Sequence, residues 1–175
     1  MTDSRDKTAV EWLVSAAPDP EVCRWEWERN PLGVALLPAG RRWDVLIVPG
    51  ELGRPALDVL VRLTDRPGPV LADFGDVRMG FFVPAGTSGR WVGSGMRGAG
   101  RGTWIVVPHP ARGTGGGMRW LVRPDGSGAL NDPELLELAV GEAASALARG
   151  GREAAEGKPG RVPGPSAPGQ EREER

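Results

Sequence analysis

At 175 residues, with a net charge of −1 and a sequence pI near 5.9, the chain has the length of one domain and lacks the overall positive charge of a protein that coats nucleic acid. Its lone cysteine, Cys23, excludes an internal disulfide and any CxxC metal pair, and no apolar run approaches the roughly 18–20 residues that span a bilayer. The polar start MTDSRDK lacks the layout of a secretory signal, so a reducing cytoplasm and no membrane partner are expected.

Lysine occurs only at Lys7 and Lys158, the Arg-for-Lys bias of a high-GC bacterial coding sequence, so arginine abundance alone is no sign of phosphate recognition. Residues 1–7 are polar and expected to fray, and Thr8–Ala17 reads as a short helix stopped by Pro18. Asp19-Pro20-Glu21 opens a second helix: a favoured N-cap, a proline where no N–H is needed, and an acid at the positive helix end. That helix is expected to end near Asn30-Pro31. Gly33–Pro38 and Trp43–Pro49 are apolar runs of strand length, expected to be buried on both faces, joined by the loop Ala39-Gly40-Arg41-Arg42.

Arg54–Thr64 places Leu57, Leu60, Val61 and Leu63 near a 3.6-residue period and reads as a helix crossing back over a sheet. Val70–Asp73, Val77–Pro84, Gly102–Pro108 and Met118–Val122 follow as strands, mostly antiparallel neighbours, separated by glycine-rich stretches 86–102 and 111–117. Asp132-Pro133-Glu134 repeats the helix-opening signal, and a long C-terminal helix runs from it to Arg149-Gly150-Gly151. The segment 150–175 is rich in Pro, Gly and mixed charge and is expected to be disordered. The expected fold is one α/β domain over residues 8–149: a mixed sheet flanked by helices, with a long C-terminal helix.

From Pro18 to Pro49, the order Asp19-Pro20-Glu21, Trp25, Trp27, Pro31, Gly33-Val34, Gly40 and then an apolar strand resembles the approach to the first catalytic motif of the bifunctional primase/polymerase N-terminal domain, a branch of the archaeo-eukaryotic primase superfamily. The resemblance spans roughly residues 10–125. It implies a strand ending in two acids that hold a divalent metal and an incoming nucleoside triphosphate, because a hard cation needs clustered carboxylates. This strand ends instead in Ile47-Val48-Pro49-Gly50, with Glu51 the nearest acid beyond it. The family's triphosphate-contacting His is absent from Met79–Pro84, and the place of its third acid falls at about Gly95, ahead of Arg97–Pro108. The resemblance therefore implies a retained scaffold without its chemistry: no catalytic residue and no cofactor, with Mg²⁺ or Mn²⁺ expected only where at least two of Asp44, Glu51, Asp73 and Asp76 meet.

Other patterns are weaker. Residues 93–98 satisfy G-x-G-x-x-G, yet a strand rather than a helix is expected after them. Asp73-Phe74-Gly75 reads as a turn, and His109, between Pro108 and Pro110, as a loop histidine. Asp58 joins the scattered acids as solvated surface. Arg41, Arg42, Arg78, Arg90, Arg97, Arg101 and Arg112 fall in or near the loops that rim the implied cleft, and arginine's planar fork suits phosphate. Of these, Arg41, Arg42, Arg78, Arg97 and Arg101 are the candidate nucleotide or nucleic-acid ligands. Most of the seven tryptophans are expected in the core. Three functions stay open: a non-catalytic nucleotide or nucleic-acid (DNA) binding module, a protein-interaction or regulatory domain on the same scaffold, and an active primase/polymerase with relocated acids.

Overall fold

The computed structural model describes residues 4–91, 95–112 and 117–156. Helix α1 (Ser4–Val14) begins ahead of the expected Thr8, because the charged residues of its first turn need no apolar partner, and Thr8 Oγ donates back to the Ser4 carbonyl at 2.8 Å. Helix α2 (Pro20–Arg29) starts where its cap chemistry places it: Asp19 Oδ1 accepts from the Glu21 and Val22 amides at 3.0 and 3.2 Å. Arg24 ties the two helices, donating to both Glu11 carboxylate oxygens at 2.7 and 2.8 Å.

Among the described residues, strand β1 (Val34–Pro38) pairs with β6 (Trp104–Pro108) alone, antiparallel. The other strands form a five-stranded sheet: β2 (Trp43–Pro49), β3 (Val70–Ala72), β4 (Arg78–Pro84), β5 (Arg97–Ala99) and β7 (Arg119–Val122), in the order β5-β2-β4-β3-β7. Every ladder among the described residues is antiparallel, as expected of most neighbours, so in place of the expected mixed sheet the strands form two antiparallel ones. Since β2 and β3 both oppose β4, they run in the same direction with β4 between them. Helix α3 (Gly50–Leu63) connects them, which makes β2-α3-β3-β4 a split β-α-β unit.

Period-2 alternation sorts the sheet's side chains into two cores. Trp43, Val45, Leu71 and Phe82 face α1, α2 and the β1–β6 pair, whereas Leu46, Val48, Val70 and Phe81 face α3 and α4 (Pro133–Glu156). β2 is thus buried on both faces. β1 is not: Leu36 is half exposed, because the two-stranded sheet has its outer side toward solvent.

Three other boundaries differ from expectation. α3 begins directly at Gly50 rather than Arg54, and its glycines serve close approach instead of a turn: a Cβ at Gly50 would lie 1.6 Å from the Asp76 carbonyl oxygen, and one at Gly53 2.9 Å from Met79 Sδ. β5 forms inside the glycine-rich stretch because β2 offers a free edge, on which Gly98 pairs with Leu46. α4 runs through Gly150-Gly151 to Glu156, so residues 150–156 are helical rather than part of a disordered tail. Residues 157–175 lie outside the described residues. No helix among those described is long and apolar enough to cross a membrane.

Candidate functional site

The acids do not meet. Asp44 alternates onto the α3/α4 side of β2 and is buried; its Oδ2 accepts from the Gly86 and Ser88 amides, both at 2.9 Å, which fastens the loop after β4. Its Oδ1 has no hydrogen-bond partner among the described residues. Glu51 and Asp58 are exposed on α3. Asp73 binds Arg78 twice, through the Arg78 amide at 2.7 Å and Nε at 2.9 Å. Asp76, in the left-handed region at φ 57°, pairs with Arg119 at 2.7 Å and Arg54 at 2.8 Å, and hydrogen bonds from those guanidinium groups hold its carboxyl below the usual range. Among the described residues no three His, Cys, Asp or Glu side chains gather as metal ligands do.

His109 is half-buried, with its ring centroid 5.3 Å from that of Trp27 and its Nδ1 accepting from the Ala111 amide at 3.1 Å. Burial, and then the charge of Arg112, push its pKa down. Asp73-Phe74-Gly75 is a turn after β3, its last two residues in a 3-10 turn over Phe74–Asp76. Residues 93 and 94 of the G-x-G-x-x-G pattern lie outside the described residues, and Arg97-Gly98 of that pattern opens β5, not a helix.

The candidate arginines divide. Arg41 and Arg42 follow Gly40, whose φ of +86° turns the chain and whose missing Cβ admits the Arg101 backbone; a Cβ there would stand 2.4 Å from the Arg101 nitrogen. The Ala39 amide donates to the Thr103 carbonyl at 2.9 Å, so the 39–42 and 100–103 loops are bound together. Arg41, Arg42 and Arg101 therefore share one end of the molecule. Arg97 stands further along β5, opposite Ile47. These four are exposed and have no carboxylate partner among the described residues; Arg41 donates to the Ala16 carbonyl at 3.3 Å. Arg78, opposite Pro49, is neutralised by Asp73. Arg90 and Arg112 are exposed, Arg90 in a 3-10 turn and Arg112 on the opposite side of the β1–β6 pair's end from the Gly40 loop.

Between the two sheets lies a cleft of about 250 Å³. Ile47, Leu71 and Gly80 form its floor, consecutive β6 residues Trp104, Ile105 and Val106 its wall, and the paired Asp73 and Arg78 also line it. The rest of the intersheet space is filled by Phe82, which packs against Trp43, Trp120 and Trp12 with centroid separations of 4.6, 5.5 and 6.5 Å. Most tryptophans are buried or half-buried as expected, but Trp104 and Trp25 are each 54% exposed. Trp104 follows Arg101 by three residues, and its exposure is the feature that sequence reasoning missed. The signal was present: in Trp-Ile-Val-Val, Trp104 and Val106 share one side of the strand and Ile105 and Val107 the other. No family model matches this chain, and no curated protein or solved structure matches it either.

Proposed function

We propose that the chain is a catalytically silent primase/polymerase-like domain that binds the phosphates of a nucleotide or nucleic acid on the rim formed by Arg41, Arg42, Arg97 and Arg101. The observation that carries this reading is four exposed guanidinium groups without a carboxylate partner among the described residues, three of them at the junction of two bonded loops. Arginine presents a rigid fork of donors to phosphate, and among the described residues none of these forks is taken by a carboxylate. Catalytic silence rests on chemistry: an apolar floor at Ile47, Asp73 and Asp76 engaged by arginines, and Asp44 on the opposite side of its strand. The cleft is smaller than the roughly 300–1,000 Å³ of small-molecule sites, so the proposed ligand is not enclosed in it.

The test is binding of labelled oligothymidylate and of ATP, with and without Mg²⁺ or Mn²⁺, at two salt concentrations. Three phosphate contacts to a single strand predict metal-independent binding that weakens about 20-fold between roughly 50 and 200 mM salt. Replacing Arg41, Arg42 and Arg101 with alanine removes that salt dependence, while Arg62→Ala on α3 leaves it intact. Metal-dependent binding overturns the silent site, and salt-insensitive binding overturns the rim. Complete absence of binding favours the second reading, a protein-interaction domain, for which the filling of the intersheet space by Phe82 and its tryptophans speaks.

A further inference from the structure

Strand β6 has one open edge. Its ladder with β1 continues past the strand ends through Ala39 N–H to the Thr103 carbonyl at 2.9 Å and His109 N–H to the Gly33 carbonyl at 3.1 Å. In the observed register, Leu36 opposite Val106 and Pro38 opposite Trp104, these bonds fall on alternate pairs. Antiparallel ladders alternate inward and outward groups, so the backbone N–H and C=O of Trp104 and Val106 point away from β1. Two side-chain bonds agree with that phase. The Pro108 carbonyl, outward on β6, accepts from Trp120 Nε1 at 3.1 Å, and the Val34 carbonyl, outward on β1, accepts from Asn30 Nδ2 at 3.2 Å.

Among the described residues no strand pairs with this edge. Trp104 and Val106 are 54% and 38% exposed; the edge carries no charge, and its one proline, Pro108, stands at the far end of the strand, so residues 104–107 are unprotected from a further strand. Beside the edge runs the intersheet cleft, whose floor includes Gly80, where a Cβ would stand 2.9 Å from Val45 Cγ1. Two arginines without an acid partner among the described residues adjoin residues that line the cleft: Arg97 is opposite floor residue Ile47 in the β2–β5 ladder, and Arg101 precedes Trp104 by three residues.

We propose that β6 accepts an extended, acidic segment of a partner protein as a third strand. The alternating outward N–H and C=O groups complement a polypeptide backbone, which presents donors and acceptors in the same alternation, whereas a phosphate backbone presents acceptors alone. The cleft takes one apolar side chain of that segment, and Arg97 and Arg101 take its acidic residues; main-chain bonds supply affinity and the cleft supplies selectivity. This goes beyond the phosphate-binding rim, because Arg41 and Arg42 take no part in it.

The probe is a fluorescent seven-residue peptide of alternating threonine and valine that ends in two aspartates, titrated onto the whole chain. Val106→Pro removes an outward N–H and leaves the β1 bonds in place, so it is expected to weaken binding about tenfold or more, whereas Val106→Ala stays within about threefold. Two peptide analogues, N-methylated along one edge or the other, supply a readout that does not depend on a folded variant: one loses binding and the other keeps it. Equal binding of both analogues, or equal loss, overturns the proposal. So does binding that is undiminished in Val106→Pro, or displacement of the peptide by oligothymidylate without any N-methyl discrimination, which assigns the surface to polyanions alone. Arg41→Ala/Arg42→Ala lowers only oligothymidylate binding, so failure of the rim and failure of the edge are separately visible.

Discussion

Cys23 lies on the inner side of α2 and is 3% exposed. Burial pushes its thiol from the ordinary 9.0 up to about 11, with Glu26 adding to the rise and Arg24 opposing it. The folded protein therefore keeps this proton where the unfolded chain has lost it. Stability from the neutral thiol is complete below pH 9 and declines as pH rises toward 11, by on the order of 2 kcal/mol. The chain has no tyrosine and two lysines, so few other groups titrate in that window. A thermal midpoint that falls between pH 9 and 11 in the native chain and not in Cys23→Ala is the expected result. Burial of Cys23 was legible from its place among helix aromatics. The role of Asp44 was not, since the amides it accepts from belong to Gly86 and Ser88, 42 and 44 positions further along the chain.

Elements with local signals formed where the sequence placed them. α2 follows from the Asp19 cap and Pro20, and β2 from a run that is apolar but for Asp44, both fixed by chemistry within a few residues. β5 had no such signal: Arg97-Gly98-Ala99 is a strand only because β2 presents an edge to it. The end of α4 fails for the opposite reason, since Gly150-Gly151 looks like a stop yet the helix continues to Glu156 with every residue from Ala144 onward exposed. Glycine in a helix interior costs roughly 1 kcal/mol relative to alanine, and a Cβ at either position meets nothing within 4 Å. Gly150→Ala/Gly151→Ala should then deepen the helical circular dichroism signal and slow amide exchange over residues 147–156. The global denaturation midpoint should barely move, because this part of the helix is not packed on the domain. A large gain in global stability would show that it is.

Across the whole molecule, the two cores share β2 and β4, whose successive side chains point alternately into each. Phe81 belongs to the α3/α4 core and Phe82, its neighbour, to the core beneath α1, α2 and the β1–β6 pair. A loss on one side is therefore transmitted to the other through the backbone of a single strand. Phe82 touches tryptophans from α1, β2 and β7, joining a helix to both flanks of β4. Phe82→Ala should cost about 3–5 kcal/mol, the range for emptying an aromatic site in a packed core. In denaturant, tryptophan fluorescence reports mainly on that core, while far-ultraviolet circular dichroism includes α3 and the packed part of α4. If the strands couple the layers, both signals move to the same lower midpoint and remain superimposed. A fluorescence transition that separates from the helical one would mean that the α3/α4 layer stands without its partner, and that the alternation along β4 does not bind the two cores into one cooperative unit.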